Sequence, residues 1–284
     1  MSDRVVVERL PGGVADVRLN RPDKMNALDQ PMFEALVATG TELARDASLR
    51  CVVLSGAGRA FSAGLDFASF QSMAGQGAEG RAQRGESERS APDRVPNLLA
   101  RGDDGSPANF AQRAAWVWTE LPVPVLAAVH GVAYGGGLQI ALAADVRFVA
   151  PDARLSVMEI KWGLVPDMSG TQTLRRLVRL DVAKELTFTG RVVSGTEAVA
   201  LGLATRVADD PRAAALEVAA EIAGRSPDAI RAAKQLLDRS GVGSVEEGLR
   251  LEESLQRGLI GRPNQLEAVR ANMEKRAPRF SDPA

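Results

Sequence analysis

The sequence predicts an α/β fold with mostly parallel strands, and three observations predict it. Two runs of strand length, RCVVLSG (Arg50 to Gly56) and PVPVLAAVHG (Pro122 to Gly131), are apolar nearly throughout, as strands covered on both faces must be. A segment with helical apolar spacing, QPMFEALVATGTELARDA, precedes the first run, and a glycine-opened helical pattern follows the second. Strands that alternate with helices in this way pair in parallel through crossovers.

In chain order, RVVVERL and VADVRLN flank Pro11-Gly12-Gly13 and read as a hairpin. The helix and the strand RCVVLSG come next, then the strand PVPVLAAVHG, the stretch YGGGLQIALAADVR, and two short strands at DVRFVA and RLSV. Beyond Ser169 the pattern turns helical, through TQTLRRLVRL and VAKELTFTG to PNQLEAVRANMEKR, with one short strand at LATRVA. This divides the chain into a core over 1–205 and a helical region over 206–284. An insertion at about 71–107 is rich in Gly, Ala, Ser, Arg and Glu and reads either as a lid that orders with ligand or as disorder.

Composition narrows the function. With 35 basic and 36 acidic residues the net charge is −1, so no broad positive field exists to hold nucleic acid or an acidic membrane. One cysteine, Cys51, excludes an internal disulfide and a cysteine-based zinc site, and its apolar strand argues for an inert thiol. The single histidine, His130, ends an apolar strand, and no serine stands in a GxSxG turn to make a hydrolase with it. No signal pattern or membrane-length run occurs, and the cytoplasm is the expected location.

Chemistry concentrates at two glycine turns. Gly135-Gly136-Gly137 opens a helical pattern, where unpaired N–H groups and the absence of a Cβ let a ligand oxygen approach. The same turn is also what a tight strand-to-helix connection needs. Its spacing is neither GxGxxG nor GxxxxGK[ST], which excludes a nucleotide fingerprint. After the earlier strand, Ser62-Ala63-Gly64 makes a second bare turn, with Leu65 next in line to offer an N–H. Two such N–H groups converging on one carbonyl oxygen form an oxyanion hole.

LNRPDKMNAL, GRAFSAGLD, VHGVAYGGGLQIALAADVR and MEIKWGLVPDMSGTQTL occur in this order, and together they resemble the crotonase superfamily of enoyl-CoA hydratases and isomerases from about Val5 to Phe280. The resemblance implies an α/β spiral of ββα repeats with a C-terminal helical trimerisation region, assembled as a homotrimer or a dimer of trimers. It implies an acyl-CoA thioester as substrate, with no separate cofactor or metal because coenzyme A is part of the substrate. Carried over by position, Leu65 and Gly136 hold the thioester oxygen. Lys24, Met25, Ala27, Ala63, Asp66 and Lys275 contact the coenzyme A. In the closing ANMEKR, Asn272 replaces the phenylalanine of many relatives.

The acids separate the chemistries. Hydratases of the family carry a glutamate where this chain has Gln139, and an amide neither gives nor takes a proton at useful cost. The second family acid matches Glu159, whose other reading is an ion pair with an arginine. Asp167 matches the acid of the 3,5-to-2,4-dienoyl-CoA isomerases, which also carry an acid at the Gln139 position, so the resemblance to them is partial; Asp167 also stands where it could cap the helix that follows. The residues favour isomerisation slightly over hydration. A catalytically quiet acyl-CoA-binding relative is the alternative.

Overall fold

The computed structural model describes residues 4–66, 98–101 and 106–283. The insertion expected at about 71–107 therefore lies, apart from 98–101 and 106–107, outside the described residues. The hairpin forms as read: β1 (Val5–Leu10) pairs antiparallel with β2 (Val14–Leu19). From β2 the sheet continues in parallel through β3 (Cys51–Gly56), β4 (Val125–Val129) and β6 (Val146–Val149), and ends on β9 (Arg206–Val207). A smaller sheet places β7 (Arg154–Ser156) between β5 (Val132–Tyr134) and β8 (Val193–Ser194).

Every residue of β3 and β4 is buried, and their alternating side chains serve two cores. Val52, Leu54, Val125, Ala127 and Val129 join the larger cluster with α1 (Gln30–Ala44), α2 (Phe110–Thr119) and α3 (Gly136–Leu142). Cys51, Val53, Leu126 and Ala128 face Ala215 and Ala219 of α7 (Pro211–Ala223) on the other side. Cover on both faces is why neither strand alternates polar with apolar. It also settles the cysteine, since burial pushes the Cys51 thiol up to about 12.

Between β7 and α7 run α4 (Gly170–Leu177), α5 (Leu180–Thr189) and α6 (Gly195–Leu201). The chain closes with α8 (Pro227–Arg239), α9 (Val245–Leu259) and α10 (Pro263–Glu274). No helix among the described residues is long and apolar enough to cross a membrane.

Candidate active site

Adjacent parallel strands end at the same edge of a sheet, and the loops that leave them meet there. β3 and β4 are neighbours, so the Phe61–Leu65 loop and the β5–α3 turn emerge side by side. Backbone hydrogen bonds join them: Phe61 N–H donates to His130 O at 2.9 Å, Ser62 N–H to Val132 O at 3.0 Å, and Tyr134 N–H to Ser62 O at 3.1 Å. His130 is thus a strand-end residue whose Nε2 meets the Gly58 carbonyl at 2.9 Å.

The two glycine turns touch. A Cβ placed on Gly64, whose φ is +84°, would stand 2.5 Å from Tyr134 O and 3.6 Å from Gly136 N. Leu28 N–H donates to Gly64 O and Asp66 N–H to Leu28 O, an arrangement that turns Leu65 N–H away from Leu28. Gly136 is the first residue of α3 and its N–H has no acceptor within the helix. Neither Leu65 N–H nor Gly136 N–H donates to another described residue.

The carboxylates arrive through β7. Its parallel pairing with β5 sets Ser156 opposite Tyr134, and Gly135 N–H donates to Ser156 O at 3.0 Å. Glu159, three residues on, comes so close that a Cβ on Gly135 would lie 3.3 Å from its Oε1. Glu159 is buried and forms no ion pair with an arginine among the described residues; its partner is Gln139. Gln139 Nε2 donates to Glu159 Oε1 at 2.6 Å, while Gln139 Oε1 accepts from Met168 N–H at 2.8 Å and Gly170 N–H at 2.9 Å. Two backbone donors on one end settle which way the amide faces. Glu159 Oε2 is enclosed and has no hydrogen-bond partner among the described residues.

Burial raises the Glu159 pKa above its ordinary value; the hydrogen bond from Gln139 opposes the shift and the negative charge of Asp167 adds to it. Asp167 is open to solvent on one side, and the protein behind it still raises its carboxyl by desolvation. The N-cap of α4 is Ser169, at φ +69° with no side-chain cap bond, and no N–H of the first turn of α4 donates to Asp167. Gln139 is thus the tie that holds the Asp167 loop beside Glu159.

The residues expected at the coenzyme A form a second constellation. Met25 and Asn26 both adopt positive φ, 49° and 53°. Asn26 is buried and clasps the two loops: its Nδ2 donates to Ala57 O and Ala60 O, its Oδ1 accepts from Arg21 N–H, and its carbonyl accepts from Ser62 Oγ. Ala63 N–H donates to Met25 O at 2.8 Å, so Met25, Ala27 and Ala63 stand together, with Lys24 exposed beside them. Asp66 is paired with Arg21 at 2.6 Å, and Arg21 also donates to Ala27 O. Lys275 sits exposed at the C-cap of α10, with φ +55° and no described hydrogen bond or ion pair to the 24–27 segment. Sequence reasoning passed over Asn26, Arg21 and Met168. Only Asn26 carried a signal, as a residue type that tolerates left-handed backbone in a turn.

With this geometry in view, the relatives fall into line. Residues 14–220 match the family model described as enoyl-CoA hydratase/isomerase. The chain is 33% identical over 275 residues to the human mitochondrial Delta(3,5)-Delta(2,4)-dienoyl-CoA isomerase, covering 93% of this chain and 77% of that protein. It is 32% identical over 270 residues to a probable enoyl-CoA hydratase of Bacillus subtilis, covering 94% and 95%. Its fold matches a crystal structure of an enoyl-CoA hydratase from Bacillus anthracis with a TM-score of 0.83 at 30% identity, over 98% of each chain. The chain belongs to the enoyl-CoA hydratase/isomerase family and has the crotonase fold. It is an enzyme of the enoyl-CoA hydratase/isomerase type.

Proposed function

We propose that this enzyme shifts double bonds in enoyl-CoA thioesters, with isomerisation ahead of hydration, using Glu159 and Asp167 as its proton-transferring pair. The observation that carries the reading is the state of Gln139. Both ends of its amide are engaged by protein, and neither end can exchange a proton. Among the described residues the acids left at the site are Glu159 and Asp167, both shifted upward from their ordinary values.

The thioester oxygen lies between Leu65 N–H and Gly136 N–H. One carboxylate, ionised, takes a proton from the carbon beside the thioester carbonyl. The electron pair moves onto the oxygen, where the two N–H groups stabilise the enolate. The other carboxyl, neutral, returns a proton further along the chain. Atoms balance, one proton off and one on, and no water is consumed. Lys24, Met25, Ala27 and Ala63 line the coenzyme A, with Asp66 holding the loop through Arg21 and Lys275 offering a charge from the closing helix.

Ultraviolet absorbance with 3,5-dienoyl-CoA and 2-enoyl-CoA tests this. Growth of a conjugated 2,4-dienoyl band is the expected result. Loss of the 2-enoyl band as the dominant activity would reverse the order in favour of hydration. No turnover of either substrate with tight coenzyme A binding would leave a binding protein.

The carboxyl shifts predict the pH dependence. The acid limb of kcat/KM should lie above the ordinary carboxyl values of 3.8 and 4.5. Replacing Asp167 by Asn removes a negative neighbour, so the Glu159 carboxyl should titrate at lower pH than in the parent, as read by carbon NMR of labelled glutamate. An unmoved or raised titration would separate the two groups.

A further inference from the structure

We propose that Met168 determines acyl specificity, by closing the space beside the thioester to chains branched next to the carbonyl. The inference rests on the placement of the thioester oxygen at Gly136 given above. Met168 is anchored through its backbone, whose N–H is held by Gln139 Oε1 at 2.8 Å. The side chain is thereby laid against the start of α3. A Cβ built on Gly136 would meet Met168 Sδ at 2.6 Å and Leu28 Cδ1 at 2.9 Å, so these two side chains pack directly on the residue whose N–H faces the substrate.

The two walls differ in how firmly they are held. Leu28 is fully buried, with its N–H on Gly64 O and its carbonyl taken by Asp66 N–H, so it cannot withdraw without opening the Leu65 turn. Met168 is 5% exposed and unbranched, with three rotatable bonds, and is the wall able to yield. A straight chain needs only the width of a methylene at the carbon next to the carbonyl. A methyl branch there needs the volume that Met168 Sδ and its terminal methyl fill.

Equilibrium binding by calorimetry reads the effect without turnover, using the unreactive pair butanoyl-CoA and 2-methylbutanoyl-CoA. The parent enzyme should bind the straight thioester more tightly. Met168→Ala should improve binding of the branched thioester about tenfold, the low end of discrimination by a single methylene-sized gap, and change the straight one less than about threefold. Met168→Val, which leaves a smaller cavity, should move the ratio in the same direction and replaces the alanine variant if that fails to fold. A straight-to-branched ratio unchanged in the folded variant overturns the proposal. A ratio moved towards the branched thioester in an enzyme that turns over neither enoyl nor dienoyl substrate supports it, and overturns the proposed reaction alone.

Discussion

Replacing Glu159 by Gln is expected to lower kcat by roughly 10²–10⁴-fold, the range for loss of a positioned general acid or base, while KM changes little. Glutamine has the shape of glutamate, and its carbonyl can still accept the hydrogen bond that Gln139 Nε2 gives to Glu159 Oε1. The Met168–Gly170 loop, held by the other end of Gln139, then keeps its place. What disappears is the ability of the enclosed Oε2 to take up or release a proton. Steady-state kinetics on whichever thioester the parent enzyme consumes make the measurement. Activity within about threefold of the parent would remove Glu159 from the chemistry.

The same substitution has a second readout in stability. Burial raises the folded-state pKa of Glu159 above the ordinary 4.5, so the folded protein binds this proton more tightly than the unfolded chain does. Stability therefore falls as pH rises from about 4.5 to the raised value, and the loss persists above it. Glutamine carries no such charge. Relative to the parent, Glu159→Gln should melt higher at neutral pH, and the difference should shrink as both proteins are taken below pH 4.5. Thermal melts across that range decide it. A constant difference would mean that the carboxyl is not strained by its surroundings.

Gly64→Ala is expected to cost about 10²–10³ in kcat, the cost of one oxyanion donor. The backbone there has φ +84°, and the added methyl would begin 2.5 Å from Tyr134 O, so the turn must shift. Leu65 N–H shifts with it, whereas Gly136 N–H belongs to a helix on the opposite loop. The damage should fall on kcat more than on KM, because the enolate oxygen carries more charge than the ground-state carbonyl. Circular dichroism of the variant separates this from unfolding. A folded variant with kcat within about threefold of the parent would take Leu65 out of the mechanism.

Much of this molecule was readable before its structure. RCVVLSG and PVPVLAAVHG read as buried strands because a sheet covered on both faces favours apolar side chains along its whole length, with Ser55 the one buried polar residue of β3. The triple glycine was readable because left-handed backbone at Gly135, φ +52°, and close packing on Gly136 admit no side chain. The identity of Gln139 was equally plain. Its task was not, because the donors it holds, Met168 N–H and Gly170 N–H, lie 29 and 31 residues further along the chain. The pairing of Asp66 with Arg21, 45 residues away and at 2.6 Å, was beyond local reading for the same reason.

By itself, then, the sequence determined the α/β core, the two glycine turns and the absence of a glutamate at position 139. Hydrophobic period and residue type carry that information locally. Only the tertiary structure decided that Gln139 joins Glu159 to the Asp167 loop, that Glu159 pairs with an amide rather than an arginine, and that Met168 packs on Gly136. Hydrogen bonds of 2.6–2.9 Å depend on where distant segments come to rest, and parallel pairing of β5 with β7 is what brings these segments together.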